Sequence, residues 1–501
     1  MHQLLIILFA YFVQFMDKAG SEQIALSNQA IEKRAERGIA IDSMDYAVSS
    51  LYLDSLQAIG CQIYHTSRWM NGATIETDSS TIQTIAQWEF VDTVYLTRRI
   101  EKKGETIDNK HEGEEDFFGK PSVSLRKREV SLGEQQLDKT KQVGDIDTYL
   151  SAPQTEQLNL HLLHEAGFHG QGITIAVIDG GFQNVDTHSA FDAVREQLLG
   201  IYDTTDDTDS ITGTTGSHGV KCFSTIAAVT PNYKGTATAA KYYLIRSEEN
   251  LTESPKEMDN WVAAIELADS LGVDIVSSSL GYAMFDDSQF TLSYDDMDGL
   301  TTRCTQAANI AAEKGMLVVV AAGNEGNKAW HYINTPADAK NILTIGAVNI
   351  HNSIATFSSW GPSADGRIKP EVCARGYQTA LISPLDNSVV YSNGTSFACP
   401  IIAGMAACLW SALPHASNIE IRNRIIQSAD RYTLPHDQYG YGIPDAWKAY
   451  GQSTDIKVIQ QSPTQMPQKM LINGVLWIMY NGMLYDVMGR LSDEVMGQKK
   501  G

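Results

Sequence analysis

The sequence predicts an α/β chain: a parallel sheet with helices on both faces, preceded by a smaller α+β domain and followed by a short β-rich tail. Three observations carry this. Residues 173–178 and 316–322 are unbroken apolar runs rich in branched side chains, as suits strands buried on both faces. Such runs alternate with segments of helical period, which requires crossovers and so a parallel sheet. A polar, mixed-charge stretch over 97–155 without sustained periodicity separates this part from what precedes it.

In chain order, residues 4–9 are apolar and Ala10 is a small residue behind them, which reads as a possible secretory leader over 1–10. No basic residue precedes the run, and it is too short to span a bilayer. Residues 11–15 equally suit a first strand. Over 11–96 the pattern is strand, helix (30–35 and 51–59), strand, turn at Asn71-Gly72, strand, helix (80–88) and strand (91–96), a β-α-β-β-α-β order of ferredoxin-like type. The linker 97–155 holds Arg98-Arg99, Lys102-Lys103 and Arg126-Lys127-Arg128, read as solvated charge. In the large domain, 156–450, strands are expected at 173–178, 239–245, 274–278, 316–322 and 342–348. Helices are expected at 220–228, 260–271, 302–314, 397–410 and 418–428. Beyond Tyr450 the alternation stops, and 451–501 reads as a linker and a hairpin turning at Asn481-Gly482.

Bulk properties bound the function. The 501 residues are 43% hydrophobic, enough for a large core with accessory pieces. Acidic residues outnumber basic ones by 60 to 38, and the formal charge of −22 argues against a nucleic-acid or anionic-membrane partner. The six cysteines, Cys61, Cys222, Cys304, Cys373, Cys399 and Cys408, lie in a chain with ample core and read as lone buried thiols.

Four stretches carry chemistry. In Asn393-Gly394-Thr395-Ser396-Phe397-Ala398-Cys399-Pro400 a serine stands between a glycine turn and an apolar helix, with Pro400 expected in the first turn. Its hydroxyl would be exposed beside the unpaired N–H groups of the helix start, where an oxyanion can be held. The strand 173–178 ends in Asp179-Gly180-Gly181, at the edge of a crevice. Ser217-His218-Gly219 opens a helix, and the strand 316–322 ends in Gly323-Asn324-Glu325-Gly326.

The order Asp, His, Asn, Ser and the motifs around them resemble subtilisin-like serine proteases, the subtilases, over about 158–450. The resemblance implies a subtilisin-like fold, with Ser396 as nucleophile, His218 as general base and Asp179 as the carboxylate that orients it. Asn324 would donate to the oxyanion. Ser277-Ser278-Ser279-Leu280-Gly281 resembles the family's substrate-binding edge, giving Ser279, Leu280 and Gly281 to an extended protein or peptide substrate. The domain at 11–96 resembles the family's inhibitory pro-domain. Residues 484–490 resemble C-terminal sorting domains of type IX secretion cargo, so a type IX secretion machinery becomes a possible partner. No cofactor is expected. Many members bind calcium, but no ligand spacing here carries a calcium site over, and the acidic loops at 203–209 and 286–298 read as solvated.

The chain departs from the family pattern at Gly180, Val220, Phe397 and Cys399. None removes a catalytic group. The reading is a secreted or cell-surface endopeptidase made as a zymogen, and the alternative is a catalytically weak relative that binds peptides at a surface. An esterase using the same three residues fits the extended-peptide edge less well.

Overall fold

The computed structural model of the chain describes residues 8–100, 149–205, 210–213, 216–249, 252–451, 468–472, 475–480 and 483–485. Contacts divide the chain into two units, 1–451 and 452–501.

The first unit opens with β1 (Leu8–Phe15), α1 (Asn28–Glu36), α2 (Ser50–Ala58), β2 (Gln62–Ser67), β3 (Gly72–Asp78), α3 (Ser79–Ile85) and β4 (Val91–Ile100). All neighbours are antiparallel, in the order β2-β3-β1-β4. Period-two alternation splits β1 between two cores. Tyr11, Val13 and Phe15 join Leu56, Ile75 and Ile85 under the domain's own helices, whereas Phe12, with Trp69 and Met70, enters the core of the large domain. Asp78 caps α3 by accepting from the N–H groups of Ser80 and Thr81. That helix ends three residues earlier than its pattern suggests, where Gln87 and Trp88 donate to Thr84 and Ile85 in tight turns. The structure also places residues 8–10 in β1 and 97–100 in β4, where Ala10 pairs with both Glu76 and Arg98. Of the possible leader, residues 1–7 lie outside the described residues, as do 101–148 of the linker.

The large domain enters with α4 (Ala152–Glu156) and α5 (Leu160–Glu165). Its sheet comprises β5 (Thr174–Asp179), β6 (Leu198–Asp203), β9 (Lys241–Arg246), β10 (Ile275–Ser278), β11 (Leu317–Ala321), β12 (Leu343–Val348) and β13 (Val372–Arg375). The seven strands run in the order β13-β12-β11-β10-β5-β9-β6, all parallel. A small ribbon, β7 (Val229–Thr230) with β8 (Tyr233–Lys234), and a hairpin, β14 (Thr379–Ile382) with β15 (Val389–Ser392), lie outside it. One face is covered by α6 (Ser217–Ala227), α9 (Thr395–Ala412), α10 (Asn418–Ser428) and α11 (Ala446–Gly451), the other by α7 (Pro255–Ser270) and α8 (Arg303–Glu313). The helix α9 is long and apolar enough to cross a membrane, but it is 89% buried inside the domain. An apolar surface all round is what a central core helix needs.

The N-terminal domain docks on α7 and α8 through buried charge. Arg34 reaches Asp45 at 2.7 Å and Asp269 at 2.6 Å, and Arg68 reaches Asp269 at 2.6 Å and Glu266 at 3.4 Å. Lys314 returns from α8 to Asp42 and Asp45 at 2.8 and 3.0 Å. Arg98 and Arg99, expected as solvated charge, are strand residues that pair with Glu249 at 2.6 Å and Asp287 at 3.7 Å. Several acids of the loop at 286–298 accept backbone N–H groups: Asp286 from Glu253, Asp287 from Gln289 and Asp298 from Leu300 and Thr301.

The second unit is described as an antiparallel meander, β16 (Gln468–Ile472), β17 (Val475–Tyr480) and β18 (Met483–Tyr485). It has one strand more than the hairpin expected, and residues 486–501 lie outside the described part.

Candidate active site

Asp179 is the last residue of β5 and is fully buried, because the parallel sheet delivers its C-terminal strand ends into one crevice. Its Oδ1 accepts from His218 Nδ1 at 2.7 Å and from the Gly180 N–H at 2.8 Å. His218 is the second residue of α6, which follows Gly216 in the left-handed region at φ +75°. A Cβ at Gly219 would stand 2.3 Å from the Gly181 carbonyl and 2.9 Å from Asp179 Cβ. Glycine there lets the helix rest directly on the aspartate turn, which brings the imidazole within reach. Among the described residues, Asp179 Oδ2 is buried without a hydrogen-bond partner. Gly180, standing where the family commonly has a hydroxyl residue, offers no side-chain donor.

Burial opposes charge on His218, but the Asp179 carboxylate outweighs it and holds the imidazole well above its ordinary pKa. Cys222, one turn along α6, lies 3.8 and 4.0 Å from the two ring nitrogens. Burial pushes its thiol up to about 11, so it is a neutral neighbour of the imidazole.

Ser396 is the second residue of α9, so its N–H lies in the first turn, where a helix offers no acceptor. Pro400, expected in the first turn, lies inside the helix instead. It lacks the N–H that would bond the Ser396 carbonyl four residues back. That carbonyl accepts from Ser279 Oγ at 2.7 Å and from Cys222 Sγ at 3.3 Å. The proline therefore frees the group by which α9 is joined both to the segment after β10 and to α6. Ser396 Oγ donates to the Ser279 carbonyl at 3.4 Å. Asn324 Oδ1 accepts from the Thr395 N–H at 2.9 Å and its hydroxyl at 3.0 Å, which fixes the amide plane and leaves Nδ2 as the group available to a ligand.

Ser279, Leu280 and Gly281 line a pocket with Ala321, Gly323 and Asn324, and Ser396 closes one side of it. The structure thus gathers all seven residues singled out in the sequence at one end of the sheet. The other departures are apolar fits: Val220 is buried, Phe397 packs on Leu381 with its ring 5.8 Å from that of His218, and Cys399 donates to the Ser278 and Val319 carbonyls. All six cysteines are buried and unpaired. Sequence reading passed over Thr395 as the group that orients Asn324, Cys222 as the link between α6 and α9, and Asn334 on the pocket wall. Thr395 adjoins the serine and could have been found; the others carry no local signal.

Two groups have the composition of a cation site among the described residues. One is Asp179, His218 and Cys222. The other is Glu248, Glu253 and Glu257, each raised in pKa by burial first and then by neighbouring acids: Asp179 and Glu249 act on Glu248, Glu248 and Asp286 on Glu253, and Glu248 and Glu253 on Glu257. Glu257 already accepts two backbone N–H groups and Glu248 the Tyr282 hydroxyl, so no metal is assigned there.

The subtilase family model matches residues 170–442, and a model described as the peptidase S8 propeptide domain of Bacteroidota matches 10–112. The chain is 31% identical over 280 residues to the thermophilic serine proteinase of Bacillus sp. strain AK1, covering 56% of this chain and 61% of that protein. It is 30% identical over 283 residues to thermitase of Thermoactinomyces vulgaris, covering 56% and 89%. To subtilisin E of Bacillus subtilis strain 168 it is 29% identical over 291 residues, covering 57% and 68%. The match thus spans about three fifths of the length of the AK1 proteinase. Because the subtilase match takes in more than half of the chain and all four motif segments, with the propeptide match ahead of it, this chain belongs to the subtilase family.

Proposed function

We propose that the chain is a serine endopeptidase, made as a zymogen and exported. The observation that carries this is the His218–Asp179 bond at 2.7 Å in the crevice where Ser396 opens α9. Ser396 Oγ attacks a peptide carbonyl while His218 Nε2 takes its proton, and Nδ1–H remains bonded to Asp179. The oxyanion is held by Asn324 Nδ2 and the Ser396 N–H. His218 then returns the proton to the leaving amine, and water releases the acyl group by the same steps in reverse order. The substrate lies extended along Ser279, Leu280 and Gly281, whose backbone pairs with it as an added strand. The N-terminal domain acts as an inhibitor until the chain is cut between residues 97 and 155.

A fluorophosphonate is expected to label the matured wild type at Ser396 and to leave Ser396→Ala unlabelled, and the mutant should remain full length if processing is autocatalytic. Equal labelling of the two would remove Ser396 from the chemistry.

The tail is read as an export signal for a type IX secretion machinery, resting on Leu484-Tyr485-Asp486-Val487-Met488-Gly489-Arg490. Truncation after Gly451 should leave peptidase activity and thermal midpoint near wild type and hold the protein in the periplasm of a host with that machinery. Normal appearance in the medium would sink the sorting role.

A further inference from the structure

We infer that the large domain, once the N-terminal domain has left it, recruits protein substrates through a site for a basic helical segment at the end of the sheet away from Ser396. The inference rests on the endopeptidase reading above and adds a second point of contact to it. In the structure α1 is seated on the site. The large domain's half consists of Asp269, Asp274, Trp410 and the carbonyls of Gly272 and Gly315. Asp274 accepts from the N–H of Thr174, which opens β5, whereas Asp179 closes that strand in the crevice. Trp410 stands fourteen residues along α9 from Ser396, about 21 Å at the helical rise.

Three observations point to a cationic ligand. Every hydrogen-bond partner described for the Asp269 carboxylate, from Arg34 and Arg68, belongs to the N-terminal domain, and so does every one described for the Glu266 carboxylate one turn earlier. Next, α7 and α8 both end here, at Gly272 with φ +74° and Gly315 with φ +89°, and helix C-termini favour cations. Lys33 Nζ donates to the Gly272 carbonyl at 2.8 Å and to Asp274 at 2.7 Å. Arg37 donates to the Gly315 carbonyl at 3.1 Å and to Asp274, with its guanidinium 5.0 Å from the centre of the Trp410 ring. Finally, α1 lies in the connection between β1 and α2, and none of its residues joins the hydrophobic core of its own domain. Its buried members are Ala30 and Arg34; a Cβ at Gly272 would stand 3.1 Å from the Ala30 backbone, and Arg34 reaches Asp269.

Lys33, Arg34 and Arg37 thus define the ligand as basic side chains at i, i+1 and i+4 on one helical turn. When the N-terminal domain departs, Asp269 and the Trp410 ring lose the cations that cover them. Lys314, freed of Asp42 and Asp45, offsets one charge of the three on Glu266, Asp269 and Asp274, so the face stays acidic. An arginine that refills it gains cation–π attraction from the indole as well as ion pairing.

The test uses matured enzyme and two substrates that share one cleavable stretch, joined through a flexible linker of about twenty residues, roughly 25 Å in root-mean-square length, to the segment Ser27–Gly38. One carries the segment as it stands; the other carries Lys33→Gln, Arg34→Gln and Arg37→Gln. Products are identified by mass. Anchoring through the linker makes entry into the cleft intramolecular, so the wild type is expected to favour the basic version in kcat/KM by on the order of ten-fold, through KM. Salt at about 1 M should erase the preference. Asp269→Asn, at a carboxylate with no described partner in the large domain, should bring the ratio near one while cleaving the glutamine version as the wild type does. A wild-type ratio near one, which requires no variant to fold, overturns the inference, as does a preference that survives in Asp269→Asn. Cleavage of neither substrate together with no fluorophosphonate labelling of Ser396 overturns the endopeptidase reading and this inference with it, whereas labelling with a ratio near one overturns the recruiting site alone.

Discussion

Asp179→Asn, matured in trans by wild-type enzyme, is expected to lower kcat about 10⁴-fold with little change in KM, a magnitude carried over from serine proteases, subtilisin among them. The carboxylate is fully buried and accepts from His218 Nδ1, so it holds the tautomer whose Nε2 can receive the serine proton. An amide of the same shape donates to Nδ1 instead, leaving the proton on Nε2. The pH profile provides a second readout. The base form of His218 is the active one, so activity falls as pH drops through its pKa. In the wild type, burial alone would lower that pKa, but Asp179 overrides it, and the acid limb should lie above the ordinary value of 6.5. In Asp179→Asn the largest contribution raising that pKa is lost while burial still lowers it, and the limb of the residual activity should move to lower pH. A loss under ten-fold, or an unmoved limb, would mean that Asp179 is not the group orienting the base.

In the unprocessed Ser396→Ala background, Arg34→Ala is expected to reduce unfolding free energy by about 3 kcal/mol. Arg34 is 3% exposed and bridges Asp45, its own domain's acid, to Asp269 on α7. Its loss leaves both carboxylates in place with fewer partners. Lys314 still reaches Asp45 and Arg68 still reaches Asp269, which sets the effect at the lower end for a broken buried pair. Arg99 also crosses to the large domain, but its pair with Asp287 is spread over 3.7 Å with side chains 54% and 40% exposed. Arg99→Ala should therefore change stability by under about 0.5 kcal/mol. Equal effects in a denaturant titration would show that burial does not govern this interface.

The large domain was legible where the sheet is central. Its inner strands have no wet face, so apolar runs marked β5, β10, β11 and β12 to within about two residues, and the Asp and Asn at two of their ends marked the crevice. The outer strands were missed: β6 is half exposed and interrupted by Gly200, and β13 has four residues. The helix α7 begins five residues before its apolar pattern does. Its first turn, Pro255-Lys256-Glu257, looks like surface but is buried, with Glu257 accepting the Ser254 N–H and Lys256 paired to Glu249. Packing from elsewhere in the fold decides such positions, and local pattern cannot register it. Pro400 shows the same limit at the site. Its position relative to Ser396 was visible, but a helix that starts one residue before the serine turns a tolerated residue into one that releases the Ser396 carbonyl.

Phe12, Trp69 and Met70 complete a core whose other members, such as Val262 and Ala308, belong to the large domain. While the chain is continuous, that contact is intramolecular, and its occupancy does not depend on dilution. A cut between β4 and α4 alters none of these residues, yet it makes the same contact bimolecular, with occupancy set by the amount of free N-terminal domain in the surrounding volume. The shared core then works as a dilution gauge: closed in a confined compartment, open once the two pieces drift apart in a large one.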